Sequence, residues 1–143
     1  MRIRLQLLSL ALALAPIAGA CGNAAGPDHS IRAAAGVYLL ATVNGEPVPT
    51  SDPSAAVDGT VYLWPTGHAE RHVTYRRYDG GTEAVESVGS FHFEGTTLVL
   101  ELAPKSDPTV GRWRVTGSLD DGTLTLGYPG PADGWMKEEY RRK

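Results

Sequence analysis

The chain is nearly free of cysteine, with Cys21 alone among 143 residues. One cysteine excludes an internal disulfide, so burial and hydrogen bonding must hold the fold together. A surplus of positive charge is also missing: 13 Lys and Arg stand against 16 Asp and Glu, a balance that disfavours a nucleic-acid partner. No apolar run is long enough to serve as a permanent membrane-spanning helix. The sequence contains neither the Gly-x-Ser-x-Gly elbow of serine hydrolases nor the His-Glu-x-x-His pattern of metalloproteases. What remains is an ordinary globular composition, 42% hydrophobic and 20% charged, at a length suited to one domain.

The first twenty residues differ from the rest. Arg2 and Arg4 precede an apolar run from Leu5 to Ala15, and small residues follow, ending in Ala18-Gly19-Ala20. This is the layout of a secretory signal peptide. The stretch "IAGAC" then resembles the lipobox of bacterial lipoproteins, with Ala18 standing where leucine is usual. The resemblance implies that Cys21 is acylated and becomes the new N-terminus. Acyl chains contribute about 0.8 kcal/mol per buried methylene, and more than one of them keeps a protein at the membrane. The expectation is an exported envelope protein anchored through Cys21 and facing the periplasm. Removing Arg2 and Arg4 with the leader leaves 11 basic residues against 16 acidic ones, a net charge of −5. Residues 21–35, rich in Gly, Ala, Pro and Asn, read as a flexible spacer, with a short helix over 30–35 as an alternative for its end.

From Gly36 onward the pattern is strand and turn. "GVYLLATV" (Gly36 to Val43) runs into Asn44-Gly45, a pair suited to a type I′ hairpin turn because both residues take positive φ. The proline-rich segment "EPVPTSDPSAA" then predicts no regular pairing before Val57. Further strands are expected over Gly59 to Pro65, Gly67 to Tyr78, Glu83 to Glu94, Thr96 to Leu102, Val110 to Leu119, Thr123 to Tyr128 and Trp135 to Arg142. The last of these reads as strand or short helix, with strand favoured. Eight strands in 108 residues, joined mostly by short turns, predict an antiparallel up-and-down meander. Closing it into a small barrel removes two exposed edges. "GVYLL" resembles the first strand of lipocalin-like domains, with Tyr38 in place of their tryptophan, and "YLLATVNGEPVP" resembles the start of small bacterial lipoproteins with such barrels. The resemblance implies an all-β, lipocalin-like barrel over 36–143 with no binding residues to carry across.

The chemical candidates are few. His68, Glu70 and His72 in "HAERHVTYRRY" share one strand face, since side chains alternate. At about 3.3 Å per residue the two histidines stand roughly 13 Å apart, too far to converge readily on a metal with bonds near 2 Å. Counting outward from Asp79-Gly80-Gly81 sets His68 opposite His92 and residue 72 opposite residue 88. A solvated polar face is the expected reading, with an interior polar lining or a metal site as alternatives. No metal, cofactor or catalytic residue is assigned. The aromatic residues from Tyr38 to Trp135 are expected chiefly to fill the barrel, and a lumen that holds one small apolar ligand is the alternative. The reading that results is a non-catalytic binding or structural lipoprotein. Its competitors are an envelope hydrolase or metal-dependent enzyme on the His68, Glu70, His72 and His92 face, and an interaction or inhibitor module built on the loop from Glu46 to Ala56.

Overall fold

A computed structural model of the chain describes residues 27–50, 56–109, 111–129 and 134–143. One helix, α1 (Pro27–Ala34), precedes nine strands: β1 (Gly36–Val43), β2 (Glu46–Pro47), β3 (Ala56–Leu63), β4 (His68–Arg76), β5 (Thr82–Glu94), β6 (Thr97–Pro104), β7 (Trp113–Asp120), β8 (Thr123–Pro129) and β9 (Trp135–Arg142). All pairings are antiparallel, in the order β2-β1-β3-β4-β5-β6-β7-β8-β9, and β1 also pairs with β9. Eight strands therefore close into the expected barrel, and β2 is an added ninth.

Inward positions supply one continuous apolar cluster. Leu98, Leu100 and Leu102 of β6 alternate into it, as do Leu124 and Leu126 of β8, and all five are fully buried. Curvature has a local cause at Gly89 and Gly117. A Cβ at either position would run into a backbone carbonyl of the next strand, that of Glu101 or Thr125, so only glycine lets the strands approach so closely.

The two ends of the barrel differ. At one end α1 packs beside β5, its Ile31 and Ala34 three residues apart on one helix face and both turned to the core. Tyr38 donates its hydroxyl proton to the Ala34 carbonyl at 2.6 Å, and Arg142 donates to that of Ala35. The sequence predicts a spacer over 21–35, with a short helix over 30–35 as the alternative for its end; the helix forms and starts earlier, at Pro27, because Ile31 and Ala34 gain a core to bury against.

The opposite end, the rim, carries the Asn44-Gly45 turn and the loops after β4, β6 and β8. Asn44 and Gly45 have φ of 51° and 85°, as a type I′ turn requires. The turn makes the first correction to the expected layout: Glu46 and Pro47 pair with Val43 and Thr42 ahead of the residues expected to resume pairing. Val48 then donates its N–H to the Ala41 carbonyl beside a register shift in β1. The ladder also opens at the rim. β1 and β3 pair only over Gly36–Leu39, and β7 and β8 only as far as Thr116 with Gly127.

A second correction concerns register. His68 lies opposite Ser90 and His72 opposite Glu86, two residues from the predicted partners. The loop is centred on Asp79, with Arg76 opposite Thr82 as its last pair. A shift of two preserves every side chain's face.

Candidate functional site

Strand β4 alternates two chemistries. His68, Glu70, His72 and Thr74 point outward, while Ala69, Arg71, Val73 and Tyr75 point into the barrel. An arginine thus sits among core residues, 6% exposed. Across the lumen, β9 turns Met136, Glu138 and Tyr140 inward, and β8 adds Tyr128. Glu138 is 0% exposed. Alternation on three strands therefore brings one cation, one anion and three phenols together toward the rim half of the lumen.

Arg71 Nη2 donates to Glu138 Oε1 at 2.7 Å and to Oε2 at 2.9 Å, and Nε reaches Oε2 at 3.3 Å. Tyr140 donates its hydroxyl to Oε2 at 2.6 Å, and Tyr128 donates to Oε1. The same arginine contacts the hydroxyl oxygens of Tyr75 (3.0 Å), Tyr140 (3.2 Å) and Tyr128 (3.3 Å), and its guanidinium carbon lies 5.5 Å from the centre of the Tyr128 ring. Taking either ion out of water costs several kcal/mol, so the pair is tolerable only because these donors surround Glu138. Burial pulls the Arg71 guanidinium down, and Tyr140, Glu138, Tyr75 and Tyr128 more than offset it, so Arg71 stays firmly charged. Burial, followed by the Glu138 carboxylate, pushes the Tyr128 hydroxyl far above its usual range. Tyr140 is raised likewise, chiefly by burial, against the opposing pull of Arg71.

The network has a saturated side and an open one. Both oxygens of Glu138 are filled by donors. Among the hydrogen bonds of the described residues, none uses Arg71 Nη1, and the Tyr75 hydroxyl accepts without donating. Ser87, directly opposite Arg71 on β5, is 0% exposed, and its hydroxyl has no hydrogen-bond partner.

On the outer face, His68 and His72 both turn to Glu70, with Nε2 to oxygen distances of 3.4 and 3.0 Å. Lys105 lies 3.8 Å from Glu70 and 3.2 Å from Glu86. The hydrogen bond from His72 contributes most to holding the Glu70 carboxyl below its usual range; burial opposes it, and His68 and Lys105 add to the lowering. Tyr62 and Trp64 of the β3 side join this face: Tyr62 stacks on Trp64 at 5.6 Å and meets His72 edge-on at 5.4 Å, and Trp64 lies 5.0 Å from His68. His92 is not part of the group; it bonds Glu94 at 3.3 Å, and Glu94 pairs with Arg114 at 2.6 Å. Among the described residues no group of three or more His, Cys, Asp or Glu side chains is placed to hold a metal.

Cys21 lies outside the described residues, as does the middle of the proline-rich loop, residues 51–55. Of that loop's described part, Val48 packs on the core and Thr50 is buried. Several aromatics expected to fill the barrel do so, Tyr38 and Phe91 among them, but Tyr62, Trp64 and Trp135 belong to the outside. Arg71, Glu138 and Tyr140 went unrecognised as site residues. Their signal was parity: one arginine in step with Ala69 and Val73, and one glutamate in step with Met136 and Tyr140. Comparison of the chain with protein-family models, curated proteins and solved structures found no match.

Proposed function

We propose that this chain is an exported, lipid-anchored binding module of the cell envelope, without catalysis, whose barrel is a rigid stand for recognition at its rim. The observation that carries this reading is the Arg71–Glu138 pair with its three tyrosines, which ties β4, β8 and β9 together across the lumen. A lumen crossed by an ion pair is a poor solvent for a purely apolar ligand, because such a ligand would compete with the bonds that make the charges tolerable. The ligand class therefore moves to a polar one from the small apolar one that the sequence left as an alternative. Geometry at the other end supports a tether. Helix α1 begins six residues after Cys21, and six residues span at most about 20 Å. An acylated Cys21 would hold the α1 end near the bilayer. The rim, with Tyr78 90% exposed and Trp135 65% exposed, would then face away from it.

Native mass spectrometry of the full-length protein, extracted from its own membrane, tests both halves. The expected result is a diacyl- or triacyl-modified Cys21 at the N-terminus and a copurifying polar ligand or partner. Recovery of unmodified Cys21 from membrane-free fractions would remove the anchor, and a copurifying alkane-like lipid seated in the lumen would remove the polar reading.

A further inference from the structure

The donors left open in the lumen point to one kind of ligand atom. We infer that Arg71 Nη1, the Tyr75 hydroxyl and the buried Ser87 hydroxyl form a subsite for a neutral hydrogen-bond acceptor, the carbonyl oxygen of an amide or ester. This deepens the binding reading above and rests on it.

Three observations converge. Glu138 already accepts from Arg71, Tyr128 and Tyr140, so the network's acceptor side is full while its donor side is not. A fully buried hydroxyl without a partner, that of Ser87, lowers stability, so its presence calls for a partner the protein alone does not supply. Finally, Tyr75 belongs to two places at once. Its hydroxyl lies 3.0 Å from Arg71 Nη2, and it also lines a groove of about 510 Å³ at the β4–β5 tip with Arg76, Arg77, Tyr78, Asp79 and Glu83. The groove and the network therefore meet at the Tyr75 side chain.

Charge decides between a carbonyl and a carboxylate. Arg71 is already neutralised by Glu138, so an anion would bring an uncompensated charge to side chains that are almost wholly out of water. The groove adds no net attraction either, since its two arginines are matched by Asp79 and Glu83, with Arg77 and Asp79 paired at 3.0 Å. A neutral acceptor gains the open donors without that desolvation cost.

Acetamide and acetate separate the two ideas, being alike in size and different in charge. Each is titrated into the full-length protein in detergent, with amide chemical shifts as readout and ionic strength held constant. Acetamide is expected to bind saturably, with a Kd of roughly millimolar order for so small a probe, and to shift the amides around Tyr75 and Ser87. Acetate is expected to bind at least tenfold more weakly. Ser87→Ala should lose at least fivefold in acetamide affinity while melting no lower than the parent, and Tyr75→Phe should lose affinity in the same way. Acetate binding as tightly as acetamide, an unchanged affinity in Ser87→Ala, or no saturable shift near Ser87 would each overturn the subsite and leave ordered water as its occupant. A partner that copurifies equally with the parent and Ser87→Ala would do so too, while leaving the rim-binding reading intact.

Discussion

Glu70 and Arg71 are neighbours in sequence on one strand, yet one lives in water and the other in the barrel. Glu70 shares its charge among His68, His72 and Lys105 on a wet face, where each contact is screened and replaceable. Arg71 is itself buried and faces one fully buried carboxylate and three phenols, of which Tyr140 is fully buried and Tyr75 and Tyr128 are partly so. The same element therefore carries an ion cluster that tunes the surface and an ion pair on which the core depends. Alternation alone produces the difference, and solvent sets its size.

The largest effect should come from breaking the inner pair on one side. Arg71→Met leaves Glu138 as a buried, uncompensated carboxylate, and the expected loss is about 3–5 kcal/mol. For a domain of this size that lowers Tm by more than roughly 10 °C, measurable by circular dichroism. Replacing both ions with apolar residues of similar volume, Arg71→Met with Glu138→Leu, should recover most of the loss, because the cost lies in the orphaned charge. The hydroxyls of Tyr128 and Tyr140 would then lack an acceptor, and adding Tyr128→Phe and Tyr140→Phe should recover the rest. A double variant as unstable as Arg71→Met alone would show that the pair contributes net stability beyond its mutual compensation.

Alkali probes the same network from the other direction. Tyr128 and Tyr140 are raised above their ordinary value of 10.0 by burial, so the folded protein keeps protons that the unfolded chain releases. Their contribution is complete below pH 10 and declines as pH rises toward the folded-state values. Each tyrosine should steepen the fall in unfolding free energy by about 1.4 kcal/mol per pH unit above that point. Denaturant melts at pH 9, 10 and 11 give the slope. Tyr128→Phe should remove one tyrosine's share of it, and an unchanged slope would mean that the phenol ionises in the folded protein without strain.

The two faces also differ in how readable they were. The outer one was legible because its residues are conspicuous types: two histidines about a glutamate are noticed, and period-2 alternation assigns them a side. The barrel was legible for the same reason, since Leu98, Leu100 and Leu102 alternate cleanly and Asn44-Gly45 announces its turn. The inner site was not, because its partners are far apart in sequence. Arg71 and Glu138 are 67 residues apart and meet only once the sheet has closed through β1 and β9. "WMKEEYRR" hid its parity further, since Glu138 and Glu139 adjoin and only the strand assignment says which one is inside. Helix α1 was legible only as an alternative to spacer, and with too late a start: Ile31 and Ala34 make a short apolar stripe that gains weight once a barrel end is there to cover them.

The smallest effect should follow from the outer face, and its sign is opposite in pH. Glu70→Gln removes the carboxylate that His68, His72 and Lys105 face, and exposed pairs of this kind contribute no more than about 1 kcal/mol. Because the hydrogen bond from His72 lowers the folded pKa of Glu70 below its ordinary 4.5, its contribution is present above that value. It disappears as pH falls through the lower, folded-state value. Parent and Glu70→Gln should thus differ slightly at pH 6 and converge as pH falls below the folded-state pKa of Glu70, and 1 M salt at pH 6 should shrink the difference. Arg71→Met should keep its deficit in the same salt, since a pair without solvent has no ions to screen it. If salt instead erased the Arg71→Met deficit and spared that of Glu70→Gln, the division between the wet and dry faces of β4 would be reversed, and the lumen would have to admit water and ions freely.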